Sequence, residues 1–296
     1  MFGLRALFSK PQLTSGHPQA LLTSLLSMAW FVEAKDAYTG GHLWRVSRFA
    51  HLVAKELGLS EKEQALISLG GFLHDLGKVG IPDAILQKRG PLTDDEFDVI
   101  RTHPLVGQRL LQSHSFADLV EDAVVGHHER PDGKGYPSGK QGDDVTLMAR
   151  IIGACDAFDA MTSTRPYRDG MPVTKALGIL KEGKGTQFDD KVVDALLALD
   201  ATGELAHVVG HSDEGIPLQT CPMCGPIIVV SHIHHSGDAV FCPSCASGFQ
   251  VKRVQQQFSL QPSGVKATAS QLAPIADSVI LTRMADAITP YLPAVR

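Results

Sequence analysis

Residues 74–83 read His74-Asp75-Leu76-Gly77-Lys78-Val79-Gly80-Ile81-Pro82-Asp83, and residues 127–137 read His127-His128-Glu129-Arg130-Pro131-Asp132-Gly133-Lys134-Gly135-Tyr136-Pro137. Each stretch opens on an adjacent pair of metal-competent side chains. Outward from them, His42, His103 and Asp156 also fall in or beside predicted helices, at intervals of roughly 24 to 32 residues. A helical bundle returns the chain to the same place at about that interval, so single ligands from successive helices converge in its core. Neighbouring residues on a helix point about 100° apart, so His74 and Asp75 can serve different ions, or Asp75 can bridge two. His127 and His128 can do likewise. Seven N and O ligands exceed what one tetrahedral ion takes, which favours two metals. Imidazole with carboxylate suits iron, manganese or zinc, and the absence of thiolates argues against a structural zinc here. A lone helical histidine is more often a satisfied core or surface residue, and His17, His51, His114, His207 and His211 are read that way.

The surrounding pattern is helical from about residue 20 to 205. Leu22, Leu25, Leu26, Ala29 and Trp30 make one apolar stripe, and His42, Val46, Phe49 and Val53 make another. Gly58 can end that second helix. Ser60-Glu61-Lys62-Glu63 and Thr93-Asp94-Asp95-Glu96 are capping boxes that start two more. Gly80 to Asp83 is a loop, and the Gly-, Pro-, Asp- and Lys-rich residues 129–146 form a long irregular segment. The expectation is an all-α domain of six to eight helices.

The chain has 296 residues, of which 44% are hydrophobic and 20% charged, with a net charge of −5. That suffices for one core of roughly 150–200 residues plus a small module and excludes a disordered or collagenous chain. The acidic balance makes nucleic acid an unlikely partner, since phosphate contacts need a basic surface. The best apolar run, Ala20 to Val32, is interrupted by Thr23, Ser24 and Ser27, too short and too polar for a membrane helix. It also begins too late for a signal peptide. A cytoplasmic protein without membrane contact is expected.

Beyond residue 205 the character changes. Residues 206–219 and 257–270 read as linkers, 220–256 as a small module, and 271–296 as a C-terminal helix with Leu272, Ile275, Val279, Ile280, Met284 and Ile288 on its stripe. The module holds Cys221-Pro-Met-Cys224 and Cys242-Pro-Ser-Cys245 around the β-branched run Ile227 to Val230. Two such knuckles have zinc-ribbon spacing and favour one structural zinc on Cys221, Cys224, Cys242 and Cys245. His232, His234 and His235 are then exposed loop residues. Three roles stay open for the module: binding a partner, forming a homodimer together with the C-terminal helix, or reporting metal status.

The two opening stretches resemble a known family. His74 to Lys78 followed by Gly80 to Asp83 looks like the signature of the HD phosphohydrolase superfamily. The stretch His127 to Pro137 narrows the resemblance to its HD-GYP branch, the cyclic di-GMP phosphodiesterases. Ala149-Arg150, Asp156-Ala157-Phe158-Asp159-Ala160-Met161-Thr162, Arg165-Pro166-Tyr167-Arg168 and Gly185-Thr186-Gln187-Phe188-Asp189 agree with it. The resemblance covers about residues 20–205. With the cysteine knuckles it implies a mainly α chain: an HD-type helical bundle, then a small four-cysteine zinc-ribbon-like β module and a C-terminal helix.

The resemblance also implies roles. The metal ligands would be His42, His74, Asp75, His103, His127, His128 and Asp156, holding two divalent ions, iron or manganese. A hydroxide bridging the ions would attack phosphorus in cyclic di-GMP, giving linear pGpG and on some enzymes GMP. Asp75 is the natural bridging ligand. Lys78 would contact the scissile phosphate, where a cation offsets developing charge. Arg165 and Arg168 match positions that hold substrate phosphate, a task suited to guanidinium. Tyr136 lies in a loop that borders the substrate groove and docks diguanylate cyclase-type partners in the family. Asp159 would orient ligands from behind or be a helix-surface acid. One departure bears on the product. Three-metal relatives place a Glu four residues before His42, where this chain has Tyr38; Glu33 and Asp36 are near but not at that spacing. A two-metal site is therefore expected; two-metal members of the family stop at linear pGpG and three-metal members proceed to GMP, and the end product stays open between the two. With only about twenty residues before the first helix, no upstream sensory domain is expected. The rival readings are a scaffold or sensor that binds cyclase-type proteins without turnover, and a hydrolase of a related cyclic dinucleotide.

Overall fold

The computed structural model describes residues 18–35, 40–88, 90–164, 169–254 and 257–293. Helices α1 (Pro18–Glu33) and α2 (His42–Glu56) bury the two expected stripes. Gly58 takes a positive φ of 73° just past α2, the left-handed conformation that lets the chain turn away. Helix α3 (Glu61–Leu73) begins at a reciprocal cap in which Glu63 N–H donates to Ser60 Oγ and Ser60 N–H donates to Glu63. A single turn, α4 (Asp83–Leu86), precedes α5 (Asp94–Ile100), which opens on the equivalent Thr93–Glu96 cap. Then follow α6 (His103–Leu111), α7 (Ala117–Gly126), α8 (Leu147–Thr162), α9 (Val173–Glu182) and α10 (Asp190–Ala201). The ten helices described up to Ala201 exceed the six to eight expected, because turns as short as α4 are below what apolar periodicity registers. Phe49, Phe72, Phe116 and Phe158 are fully buried at the centre of the bundle.

The C-terminal third departs from the expected linkers. Residues 206–219 are not a bare connection: they contain β1 (His211–Asp213) and β2 (Ile216–Pro217), paired antiparallel, and lead to β3 (Gln219–Thr220). Strand β3 pairs with β4 (Ile227–Ile228). Strands β5 (Ala239–Phe241), β6 (Ser247–Val254) and β7 (Gln257–Lys266) form an antiparallel sheet in that order, with Val240 opposite Phe249 and Val251 opposite Leu260. Thus most of the second expected linker is an edge strand. Ile216, Ile228, Val230, Val240, Phe249 and Val251 make a separate small core around the buried Cys221 and Cys242.

The last helix is also shorter than expected. Helix α11 spans Ser278–Ile288, not the whole of 271–296, because Asp277 caps it by accepting from Val279 N and Ile280 N. Ile275 therefore lies outside the helix and is exposed. Ile280, Leu281, Ala285 and Ile288 bury into the core of the helical bundle. The chain leaves that bundle after α10, builds the cysteine module and returns to the bundle with α11. No described helix is long and apolar enough to cross a membrane.

Candidate metal centre and substrate cleft

Five elements deliver the histidine and aspartate side chains to one place. His42 begins α2; His74 caps the C-terminus of α3 and Asp75 follows it; His103 begins α6; His127 caps α7. Asp156 and Asp159 lie one turn apart on α8. After Asp75 the chain tightens into a 3-10 helix, Leu76–Gly80. A Cβ on Gly77 would sit 1.8 Å from the carbonyl oxygen of His103, so only glycine lets this turn press on the start of α6. The small residue in the signature is thus a spacing device for His103.

The donor atoms form two groups. His42, His74 and Asp75 bring ligand atoms within 4.8 Å of one another, and so do His103, His127 and His128. Asp75 faces both. Its Oδ2 is 3.6 Å from His42 Nε2 and 3.3 Å from His74 Nε2, while its Oδ1 is 3.5 Å from His103 Nε2 and 4.0 Å from His127 Nε2. Asp156 Oδ1 joins the first group, 3.5 Å from His42 Nε2 and 3.9 Å from His74 Nε2. All seven residues expected at a metal site are therefore neighbours.

The hydrogen bonds behind the rings suit metal binding. His74 Nδ1 lies 2.8 Å from Gly71 O, His103 Nδ1 2.8 Å from Ile100 O and His127 Nδ1 2.9 Å from Ala123 O. Carbonyls only accept, so each Nδ1 carries the proton and each Nε2 keeps its lone pair facing inward. His74 Nε2 is buried with no hydrogen-bond partner among the described residues. His103 Nε2 and His127 Nε2 face each other at 3.2 Å. Two lone pairs that close call for a cation between them.

Burial sets the charge states. It lowers His103, His127 and His128 below the ordinary histidine range, His128 to about 3, and the neighbouring imidazoles add to the effect. Burial also lowers His42, but hydrogen bonds with Asp159 and Asp75 outweigh it and raise that ring to about 9. Burial opposes ionisation of Asp75, yet Lys78 and His74 hold its carboxyl well below the usual range. Lys78 Nζ donates to Asp75 Oδ2 at 2.5 Å.

Asp159 is not a surface acid. It is 1% exposed, bonded to His42 Nδ1 at 2.8 Å and to Arg45 Nε at 2.6 Å. Arg45 carries no motif signal in the sequence, yet its guanidinium is buried in the first turn of an otherwise ordinary amphipathic helix. Glu33, discounted on spacing, accepts from Leu43 N at 2.9 Å and lines a small cavity with His42, Asp75 and Lys78. Tyr38, Asp36, Arg165 and Arg168 lie outside the described residues.

A cleft of about 550 Å³ opens beside His127, His128 and Asp156. Tyr136 stacks on His128 at 4.6 Å between ring centres, and the Arg101 guanidinium lies 4.9 Å from the Tyr136 ring. Buried Glu129 secures this loop by accepting from Ser138 N and Lys140 N. Arg101, with no motif around it, is a cleft residue that only the structure brings forward. Arg130 and Lys134 also line the cleft.

The four cysteines form a third cluster. Cys221 and Cys245 sulfurs are 3.8 Å apart, Cys221 and Cys224 3.7 Å, and Cys224 and Cys242 3.5 Å. A tetrahedral zinc with Zn–S bonds of about 2.3 Å separates its sulfurs by about 3.8 Å, whereas a disulfide needs about 2.05 Å. The cluster therefore fits a tetrahedral ion. His232 departs from the exposed loop expected of it: it is half-buried, with Nε2 3.0 Å from Asp213 Oδ2.

A family model described as "HD domain" matches residues 6–192. The chain is 43% identical over 176 residues to the cyclic di-GMP phosphodiesterase response regulator RpfG of Xanthomonas campestris, covering 59% of this chain and 47% of the relative. It is 39% identical over 165 residues to the 3'3'-cGAMP-specific phosphodiesterase 3 of Vibrio cholerae, covering 56% and 36%. It is 40% identical over 182 residues to a cyclic di-GMP phosphodiesterase of Pseudomonas aeruginosa, covering 61% and 42%. The match spans less than half the length of each of these relatives.

Proposed function

The chain belongs to the HD domain family, and from that premise we propose that it is a phosphodiesterase that hydrolyses cyclic di-GMP to linear pGpG with two divalent ions, iron or manganese. The observation that carries this reading is the meeting of two donor groups at one carboxylate, with His74, His103 and His127 each spending Nδ1 on a backbone carbonyl. In this reading His42, His74, Asp75 and Asp156 hold one ion, and Asp75, His103, His127 and His128 hold the other. Such ions, when bound, supply Lewis-acid charge neutralisation and a water acidified toward neutral pH. Imidazole and carboxylate without thiolate favour iron or manganese over a closed structural zinc. The four-cysteine cluster takes the zinc.

The chain's own residues do the rest. Lys78 brings a fixed positive charge to the edge of the centre, where it offsets charge building on a phosphate oxygen. Tyr136, held against His128, offers an aromatic face for a guanine base at the cleft. Arg101 supplies a guanidinium within reach of the same face. Arg165 and Arg168 add phosphate contacts in this reading. The Tyr136 loop would also receive a cyclase-type partner. The named activities of the relatives support a cyclic dinucleotide substrate, and one of them is named for cyclic GMP-AMP. That second substrate is the reading to set beside the first.

The test is turnover of cyclic di-GMP by protein loaded anaerobically with iron or manganese, with cyclic GMP-AMP as competitor and Asp75→Ala as control. Turnover to pGpG that vanishes in the control supports the proposal. A folded, metal-loaded chain without turnover overturns it in favour of a binding scaffold. Faster turnover of cyclic GMP-AMP reassigns the substrate.

A further inference from the structure

The cysteine module lies against the helical bundle at the residues that aim His42. Gly40 and Gly41 form the turn that leads into α2 one residue before that histidine. A Cβ on Gly40 would come within 2.6 Å of Val229 Cγ2, and one on Gly41 within 2.8 Å of the Ser212 Cα. Val229 is a stiff β-branched residue, so it cannot swing aside cheaply. One turn further on, Arg45 is bonded on both sides of the same boundary. Its Nη1 donates to His211 O of the module at 2.9 Å and to Gly40 O at 3.1 Å. Its Nε and Nη2 donate to Asp159 at 2.6 and 3.1 Å, and Asp159 in turn holds His42 Nδ1. Asp213, two residues along the same strand as His211, ties that edge of the module to α11 by pairing with Arg283, and pairs with His232 as well.

We propose that the cysteine module is a positioning arm of the metal centre: through the Gly40–Gly41 turn and Arg45 it fixes the His42 ring, so the state of the four-cysteine site sets how tightly the His/Asp centre holds its ion. The inference rests on the metal reading given above. Arg45 and Asp159 act as positioning residues, since neither points a donor atom into the centre. Two arguments make the coupling physical. The chain of contacts is continuous from module backbone to ligand ring, and every member is packed or hydrogen-bonded in one arrangement. The module's own fold also depends on its ion, since a core this small around four thiolates gains much of its stability from metal. By linkage, the effect must be reciprocal, with an ion at the His/Asp centre tightening the grip of the module on its own.

The experiment measures Mn2+ binding to the full, zinc-loaded chain by the loss of the free-ion electron paramagnetic signal. Manganese selects N and O donors over the thiolates. Gly40→Ala is expected to weaken Mn2+ binding about tenfold, the scale seen when partners behind a ligand are disturbed. Adding Val229→Ala in the same chain makes room for the new methyl and should restore most of that loss. Cys221→Ser with Cys224→Ser should weaken Mn2+ binding to a similar extent while the helical circular dichroism is kept. Unchanged affinity in either Gly40→Ala or the double-serine variant overturns the inference, as does a Gly40→Ala defect that Val229→Ala fails to restore. A wild-type chain that binds no Mn2+ overturns the metal reading itself, and this inference with it.

Discussion

The His/Asp centre and the four-cysteine cluster solve the problem of holding a cation in opposite ways. Cys221, Cys224, Cys242 and Cys245 come from two short knuckles in a thin β module whose apolar core is a handful of residues. The seven residues of the other centre come from positions spread between His42 and Asp156, and a core of stacked helices places them. There, side-chain orientation is secured by the protein: three Nδ1 atoms on carbonyls, one on Asp159. At the cysteines the sulfurs mainly face one another, and the ion itself must organise them. The difference teaches that the first site is prepared by folding and the second prepares the fold around it. An open, prearranged centre suits exchangeable ligands and chemistry, and a closed thiolate centre suits architecture.

That contrast can be broken at several points. Asp75→Ala should have the largest effect, lowering turnover on the order of 10³-fold or more while the helical dichroism and thermal transition of the bundle persist. Collapse of the bundle in that variant would show that the centre is not prepared by folding. Removing the ion proposed for the cysteines should give the reverse pattern. Amide exchange in β5, β6 and β7 should rise sharply, while the amides of α3, α7 and α8 stay protected. Equal protection of the strands with and without zinc would remove the distinction between the two sites. Tyr136→Ala should raise KM for cyclic di-GMP about tenfold and leave metal content alone, as expected for a lost base-stacking contact. A change confined to kcat would place Tyr136 elsewhere in the scheme. The smallest effect belongs to the scaffold. Ser60→Ala removes one cap of α3 and should cost about 1 kcal/mol, a melting-temperature shift of roughly 2–4 °C, with no change in KM.

Much of the centre was legible because ligands and caps are local words in the sequence. The Ser60–Glu63 and Thr93–Glu96 boxes appear as written, and the paired His74-Asp75 and His127-His128 stand at bundle-return spacing. What escaped depends on tertiary partners. Strand β7 reads as a linker because Pro262, Ser263 and Gly264 interrupt its short apolar alternation of Phe258 and Leu260. It becomes a strand by pairing with β6 on one side only, and an edge tolerates proline. Arg45 looks like any helix-face cation until its carbonyl and carboxylate partners arrive from Gly40, His211 and Asp159. Arg101 becomes a cleft residue only when the loop carrying Tyr136 folds over it. Helix α11 reads as longer than it is because the apolar stripe runs on through Pro274 and Asp277, which mark its start.

The central claim is that Asp75 joins two metal positions into one centre. The direct measurement is an electron paramagnetic titration of the zinc-loaded chain with Mn2+, in wild type and Asp75→Ala. The account predicts two Mn2+ per wild-type chain, with a spectrum of exchange-coupled ions, and loss of that coupled spectrum in Asp75→Ala. Two ions that behave as isolated in the wild type, or a coupled spectrum that survives in Asp75→Ala, would contradict it.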